Sequence, residues 1–142
     1  MKSSRMSGFE GHGSIDCHIQ DNILFIEGDG PWNLEAVEQA NNQYHQLMVT
    51  LHGKVWGKVV VLIGDPIYVP NAEEYLVQSI KQDRHNGCVA TAIVVEQSNS
   101  PEFAKRHISE IHTKANDVFR FFADKDEASW WLVQKMTAAQ IG

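Results

Sequence analysis

Polar side chains that could bind a ligand or do chemistry gather where predicted strands end and predicted helices begin. Asp65 and Tyr68 follow the apolar run at 59–63, and Ser98 follows the apolar run at 89–95. Because the carboxyl ends of parallel strands meet at one edge of a sheet, these side chains are expected to share a rim of loops beyond that edge. The hypothetical ligand- or partner-binding rim consists of Trp32, Asp65, Tyr68, Asn71, Ser98 and Ser100.

The starts of the four predicted helices also lie on this rim. Helix N-termini offer free N–H groups and a positive dipole end, so Asn33, Asn71, Ser100 and Asp124 could mark an anion site. Many carboxylates lie on the same rim, where they complement the dipoles and would repel an anion, and the sequence has no glycine-rich phosphate-binding pattern. Ordinary helix capping is therefore favoured at these four positions.

Two rim residues also have simpler structural interpretations. Asp65 precedes Pro66, which is typical of a turn. In a receiver domain the phosphoacceptor aspartate is accompanied by an acidic pair after an early strand and a lysine after a late strand, and this sequence lacks that set. A turn is therefore favoured over an acid–base or phosphoacceptor role. Trp32 either packs at the start of the first helix or forms an aromatic lip with Tyr68 and Phe103. Packing is favoured, and the aromatic lip remains the alternative.

The seven histidines suggest neither a metal site nor a catalytic base. His45 and His52 lie too far apart along one helix to share an ion, and His107 and His112, at i and i+5, diverge. A nucleophilic Ser100 would be expected in a G-x-S-x-G elbow, which the sequence lacks. The sequence predicts no catalytic residue, no metal site and no cofactor.

Composition narrows the possible partners and locations. The chain has 142 residues, 43% of them hydrophobic, and a formal net charge of -6, which argues against a nucleic-acid partner. No apolar run is long enough for a membrane span or a secretion signal. Cys17 and Cys88 lie in predicted strands without metal-ligand spacing, which is typical of buried cysteines in a reducing compartment. A cytoplasmic protein is predicted.

The elements that must position the rim alternate along the chain. Residues 1–13 are predicted to be a flexible tail, and residues 14–142 a single α/β domain. Strands in which apolar and polar residues alternate, or which contain a charge, indicate sheet edges, whereas unbroken apolar strands are typical of the centre of a sheet. A five-stranded mixed sheet of order 1-2-3-4-5, with strand 1 antiparallel, satisfies these patterns. The predicted ββαβαβαβα order has strands at 14–19, 23–26, 59–63, 89–95 and 118–122, and helices at 34–51, 72–85, 101–115 and 125–136.

The C-terminal segment FFADKDEASWWL, at 121–132, combines a strand, an acidic turn and an A-x-x-W-L helix. Together with the hairpin and the three βα repeats, it resembles the SpoIIAA-like branch of the STAS superfamily. The resemblance implies a βα superhelix and a partner-binding role, which in the anti-sigma-factor antagonists is switched by phosphorylation of a serine at the second helix. Here Val69-Pro70-Asn71-Ala72 stands in that place. The serine phospho-switch is therefore not expected.

Sequential right-handed crossovers place their helices on one face of the sheet, although the central strands are apolar on both faces. The first or last helix, or a second copy of the chain, must therefore cover the other face. The last helix carries Trp130 and Val133 beside its inward stripe. A symmetric homodimer with these two residues at its interface is expected.

These patterns predict a non-catalytic, STAS-like interaction or small-ligand-binding module, with a regulatory role. The alternative is a small enzyme or carrier that holds a small polar or lipid-like molecule at the rim around Trp32, Asp65, Tyr68 and Ser98. A deep apolar pocket with converging polar groups would favour the enzyme or carrier, and a flat apolar surface would favour the STAS-like module.

Overall fold

The computed structural model describes residues 4–7, 14–30, 34–64 and 70–141. A short 3-10 turn, Val49–Leu51, extends the first helix. The elements follow in the order β1 (Ser4–Ser7), β2 (Ser14–Gln20), β3 (Ile23–Asp29), α1 (Leu34–Met48), β4 (Trp56–Ile63), α2 (Pro70–His85), β5 (Cys88–Glu96), α3 (Pro101–Lys114), β6 (Phe119–Phe122) and α4 (Lys125–Ile141).

Among the described residues, six strands form one sheet in the order β1-β2-β3-β4-β5-β6. β2 pairs antiparallel with β3, and β3, β4, β5 and β6 are mutually parallel. The five predicted strands correspond to β2 through β6, so the predicted α/β class, strand order and antiparallel first strand are confirmed. A strictly sequential sheet also lacks the topological switch point at which many α/β proteins bind ligands.

β1 lies in the segment 1–13, which was predicted from the sequence to be a flexible tail. Its four residues pair antiparallel with the outer edge of β2, in register from Ser4 with Cys17 to Ser7 with Ser14. An unpaired strand edge offers backbone N–H and C=O groups to any extended segment, whatever its side chains. The composition of residues 4–7 therefore gave no signal for this strand. The remaining tail residues lie outside the described residues.

The alternation of side chains divides the sheet into a first face and a second face. The first face carries Ile26, Val60, Leu62 and Ile93, and it packs against α1, α2 and α3. Buried residues of α2 and α3, such as Ile108, complete the core on this side. Three consecutive helices on one face are the arrangement expected from right-handed crossovers between sequential parallel strands.

The second face is covered by α4 over β4 and β5. Ala128, Leu132 and Met136 pack against Val59 and other second-face residues of the two strands. At Gly57 a β-carbon would lie 2.9 Å from Leu132 Cδ2, so the absence of a side chain allows the helix to approach the strand closely. The last helix, which was one of the elements considered from the sequence, therefore covers the second face over β4 and β5.

This closure removes the reason for which a homodimer was expected. The second face over β4 and β5 is buried within one chain, so a second copy is not needed there. Trp130 and Val133 lie on the other side of α4, with 68% and 50% of their surface exposed. The homodimer therefore depends on that exposed pair alone, and it stays a prediction.

The predicted helix caps differ in outcome. Asp124 Oδ1 accepts a hydrogen bond from the Glu127 N–H at 2.9 Å, which confirms the cap of α4. Ser100 precedes α3 as predicted, but its side chain makes no capping hydrogen bond. α2 begins at Pro70, so Asn71 is its second residue rather than its cap. Proline suits a first helical turn because its missing N–H would have no partner there.

Within the described part of the chain, no helix combines the length and apolar character needed to cross a membrane.

Candidate functional site

The hypothetical rim is only partly visible in the structure. Trp32, Asp65 and Tyr68 lie outside the described residues, so the rim as a binding site stays a prediction. Asn71 and Ser100 are exposed at the starts of α2 and α3. Ser98 is half-buried, and its Oγ accepts a hydrogen bond from the Ser100 N–H at 3.1 Å. Ser98 thus organises the turn before α3, which is a structural role.

A cavity of about 120 Å³ lies elsewhere, between the first face and helices α1, α2 and α3. It is partly open to solvent and has a mainly apolar surface. Apolar side chains that line it include Ile26, Val60, Leu62, Leu76, Ile93 and Ile108. Among the described residues, its polar side chains are Tyr44, Lys58, Ser79 and His112. A concave apolar site with a few polar groups is the usual form of a small-molecule site.

Small residues help to leave this space empty. Gly28 on β3 and Ala40 on α1 both line the cavity, where larger side chains would extend into it. The strand alternation that buries Ile26, Val60 and Leu62 on the first face supplies the floor, and Leu76 and Ile80 of α2 supply a wall. The cavity is therefore formed by packing between elements that are distant in sequence.

A buried ion pair connects the cavity floor to α2. Lys58 Nζ of β4 donates a hydrogen bond to Asp83 Oδ2 at 2.9 Å, and the Lys58 residue is only 4% exposed. Burial disfavours the charged ammonium, but the attraction of nearby carboxylates, chiefly Asp83, outweighs it and raises the pKa of Lys58. Lys58 is therefore charged at neutral pH.

The same carboxylate also holds α1. The Tyr44 hydroxyl donates a hydrogen bond to Asp83 Oδ1 at 3.0 Å and lies 3.0 Å from Ser79 Oγ. Burial is the main cause that raises the pKa of Tyr44, and the negative charge of Asp83 adds to it. Tyr44 is therefore a neutral donor rather than a base, and Asp83 connects α1, α2 and β4.

A second polar cluster surrounds Asp117, whose carboxylate is fully buried. His112 Nδ1 lies 2.8 Å from Asp117 Oδ2, and Thr91 Oγ1 donates to the same oxygen at 2.7 Å. Arg84 Nη1 approaches Asp117 Oδ1 at 3.4 Å. Burial alone would raise the pKa of Asp117, but the hydrogen bond from His112 and the charge of Lys58 keep it lowered. Asp117 is therefore ionised.

An ionised carboxylate can only accept hydrogen bonds, so the proton of the His112–Asp117 contact belongs to His112 Nδ1. Burial lowers the pKa of His112, despite the opposing effect of Asp117. At neutral pH the ring is therefore uncharged, with its proton on Nδ1 and a lone pair on Nε2. This tautomer leaves Nε2 as an acceptor on a ring that lines the cavity.

The two clusters are neighbours across the sheet. Lys58 pairs with Thr91 between β4 and β5, and Thr91 donates to the carboxylate that holds His112. Both cysteines nearby are thiols, because burial raises the pKa of Cys17 and raises that of Cys88 to about 12. The arrangement offers hydrogen bonds to a ligand, and among the described residues neither thiol is activated as a nucleophile.

The main residues of this site were not predicted from the sequence. His112 was considered only as a partner of His107, and Lys58 and Asp83 were not considered at all. A lysine inside a strand whose neighbours are apolar on both faces was the available signal, because lysine is rarely buried without a partner. The partner itself could not be identified, since Asp83 lies 25 positions later on another element.

In the described ranges, no group of three or more His, Cys, Asp or Glu side chains is arranged to hold a metal ion. The absence of a metal or cofactor stays a prediction.

Comparison with known proteins identifies the fold. No family model matches the chain. The curated proteins yield no significant match either. Among solved structures, the chain is similar to the 2.25 Å crystal structure of an uncharacterized protein of the DUF3478 family, with a SpoIIAA-like fold, from Shewanella loihica PV-4. The TM-score is 0.59 at 19% sequence identity, over 89% of this chain and 98% of the other. The chain therefore has a SpoIIAA-like fold, as its C-terminal motif and element order predicted.

Proposed function

We propose that this protein is a non-catalytic binding module that holds a small, mainly apolar molecule in the first-face cavity. The observation that carries the proposal is the cavity itself, with apolar walls and polar side chains from Tyr44, Lys58, Ser79 and His112. From the sequence, a pocket of this kind was expected to favour an enzyme or carrier of a small molecule, and a carrier is the non-catalytic form of that alternative.

The volume of the cavity limits the size of the ligand. An apolar cavity of about 150 Å³ binds benzene or xenon, so the observed 120 Å³ suits a single small ring or a short chain. A longer molecule would extend through the open side. Burial of apolar ligand surface contributes roughly 25 cal/mol per Å², which favours ligands that fill the space.

The non-catalytic part of the proposal is supported by the way the polar groups are engaged. Asp83 is bound by Lys58 and Tyr44, and Asp117 is bound by His112 and Thr91. These bonds hold the protons within the protein rather than presenting a nucleophile beside a base. Asn71 at the start of α2 supports a module without a serine phospho-switch.

Location and self-association are further parts of the proposal. A cytoplasmic location is supported by two cysteines, both buried and unbridged. A net charge of -6 supports a role without nucleic acid. A homodimer is supported by the exposed pair Trp130 and Val133 on α4. Sedimentation equilibrium at micromolar concentration tests the homodimer, and a monomeric mass would contradict it.

Benzene is the probe that tests the cavity. At three times its dissociation constant a ligand stabilises the folded state by about 0.8 kcal/mol, which raises the Tm of a chain of 142 residues by roughly 3 °C. Ala40→Phe should fill the cavity and abolish the shift. Asn42→Phe, at an exposed position of α1, is the matched control and should preserve it. No shift in the wild-type protein, or an equal shift in Ala40→Phe, would contradict ligand binding in this cavity.

A further inference from the structure

The polar groups that line the cavity differ in how far their hydrogen-bonding capacity is used. Tyr44 and Ser79 contact each other, and the Tyr44 hydroxyl donates to Asp83. Lys58 and His112 are each held by one carboxylate and also line the cavity. The chemistry that these two groups leave available determines which polar group a ligand can bring into the cavity.

Lys58 has donors to spare. Among the described residues its ammonium makes one hydrogen bond, to Asp83 Oδ2 at 2.9 Å, whereas an ammonium carries three N–H groups. Only 4% of the residue is exposed, so water has little access to the remaining N–H groups. A ligand atom that accepts a hydrogen bond would satisfy a donor that burial has separated from solvent.

His112 provides the complementary acceptor. Its Nδ1–H is directed at Asp117 Oδ2, 2.8 Å away, so the opposite edge of the ring, with Nε2, is the part left to face the cavity. Within the described residues, Asp117 is the hydrogen-bond partner of this ring. The residue is 6% exposed. The Nε2 lone pair therefore accepts a hydrogen bond from a ligand that carries a donor.

The charges around the cavity disfavour an anionic ligand. The Lys58 ammonium is matched by the Asp83 carboxylate, and Asp117 is a second buried carboxylate close by. Arg84 is in turn paired with Asp117, so among the described residues a ligand carboxylate would meet no cation without a partner of its own, which is strongly unfavourable in a buried site. A pure hydrocarbon would leave both the Lys58 donors and the His112 acceptor unpaired.

A hydroxyl satisfies both requirements, because its oxygen accepts and its proton donates. Resting on the proposed function, we infer that the natural ligand carries a neutral hydroxyl at its buried end, which accepts from Lys58 Nζ and donates to His112 Nε2. The cavity thus selects a small alcohol or phenol over a hydrocarbon of the same shape and over a carboxylate.

Phenol, toluene and benzoate test the inference, since each is a benzene ring with one substituent: a hydroxyl, a methyl or a carboxylate, respectively. In the wild-type protein at neutral pH, phenol should bind about tenfold more tightly than toluene, the ratio expected from hydrogen bonds of ordinary net strength. Benzoate should bind more weakly than either. Isothermal titration calorimetry gives the three dissociation constants.

His112→Asn isolates the role of Nε2. The asparagine amide can replace the Nδ1–H donor to Asp117, but it has no counterpart of Nε2. The variant should bind toluene as the wild-type protein does and lose the roughly tenfold preference for phenol. His85→Asn, at an exposed position of α2, is the matched control and should keep the preference.

The outcomes distinguish this inference from the proposed function. Binding of none of the three probes overturns both. If toluene binds and phenol is not preferred, or if the preference for phenol survives in His112→Asn, the inference of a ligand hydroxyl is overturned while the cavity remains a binding site. If His112→Asn fails to fold, the wild-type ¹⁵N resonance of His112 Nε2 decides: a shift with phenol but not with toluene supports the inference, and equal behaviour overturns it.

Discussion

Asp83→Asn is the substitution that most directly tests how the buried polar cluster stabilises this fold. The amide has nearly the shape of the carboxylate and keeps an acceptor for Tyr44, but it removes the charge that lies 2.9 Å from Lys58 Nζ. Loss of one partner from a buried ion pair destabilises by about 3 to 5 kcal/mol, because the remaining charge is left uncompensated. Asp117 also attracts Lys58, so the lower end of this range is expected.

A loss of about 3 kcal/mol lowers the Tm of 142 residues by roughly 10 °C, because the unfolding entropy is about 0.3 kcal/mol per degree for a chain of this length. Urea unfolding followed by tryptophan fluorescence measures the free energy directly, and the fully buried Trp56 is a suitable reporter. Glu38→Gln removes an exposed carboxylate from α1 and serves as the control, with an expected change within about 0.5 kcal/mol.

The pH dependence gives the experiment a second readout. In the wild-type protein the pKa of Lys58 is raised, so the stability from its charged form is present below the ordinary value of 10.5 and is lost only above it. In Asp83→Asn, burial without that partner should lower the pKa of Lys58 below its ordinary value. Between this lowered pKa and 10.5, the unfolded variant binds more protons than the folded variant, so the free energy of unfolding of the variant rises with pH. The difference from wild type should shrink between pH 7 and pH 10.

A second substitution identifies the source of the loss. Lys58→Met, added to Asp83→Asn, removes the uncompensated charge and should recover about half or more of the lost stability. A loss below about 1 kcal/mol in Asp83→Asn would refute the reasoning, since it would mean that Lys58 reaches solvent or another carboxylate at little cost. A loss that neither high pH nor Lys58→Met reduces would refute it as well.

The remaining predictions concern single residues on other elements. Burial lowers the pKa of His112 in the folded protein below 6.5, so the stability that its neutral ring contributes is present above pH 6.5 and is lost as the pH falls through the folded pKa. Urea unfolding should therefore show a smaller loss of stability between pH 7 and pH 5 in His112→Asn than in the wild-type protein. Asp124→Ala removes the cap of α4 and should destabilise the fold by about 1 kcal/mol in the same assay. Trp130→Ala removes a side chain that is 68% exposed in one chain, so it should weaken the proposed homodimer in sedimentation equilibrium and change the stability of the monomer by less than about 0.5 kcal/mol; an unchanged dimer would contradict its place at the interface. Asn71→Ser should not acquire phosphate in a lysate of the source cell, and incorporation at that position would contradict the absence of the phospho-switch.

The predictable part of the fold is the part that depends on local periodicity. The alternation in β2, with Cys17 buried, and the solid runs of β4 and β5 set their positions in the sheet, and the stripe of α3 is buried as expected. A capping pattern at Asp124 located the start of α4 correctly. These features require only neighbours within one element or one turn.

The cavity could not be predicted because it depends on contacts between elements. Its floor, wall and polar end come from strands and helices whose relative placement is set by packing, and no local pattern indicates that Gly28 and Ala40 face the same space. The Lys58–Asp83 pair has the same origin, since the two residues meet only after α2 has docked on the sheet. The loop rim drew attention because strand ends are usual sites in α/β proteins.

The lengths of the strands bear on how this protein behaves at high concentration. β1 and β6, the two outermost strands among the described residues, have four residues each, whereas the strands between them have seven to nine. A sheet edge recruits other chains through its unpaired backbone groups, and a short edge offers few of them. The exposed Arg120 adds a charge to β6 that would repel a like edge. The apolar central strands, which would aggregate readily if unpaired, are thus enclosed by edges that are poor templates for strand addition.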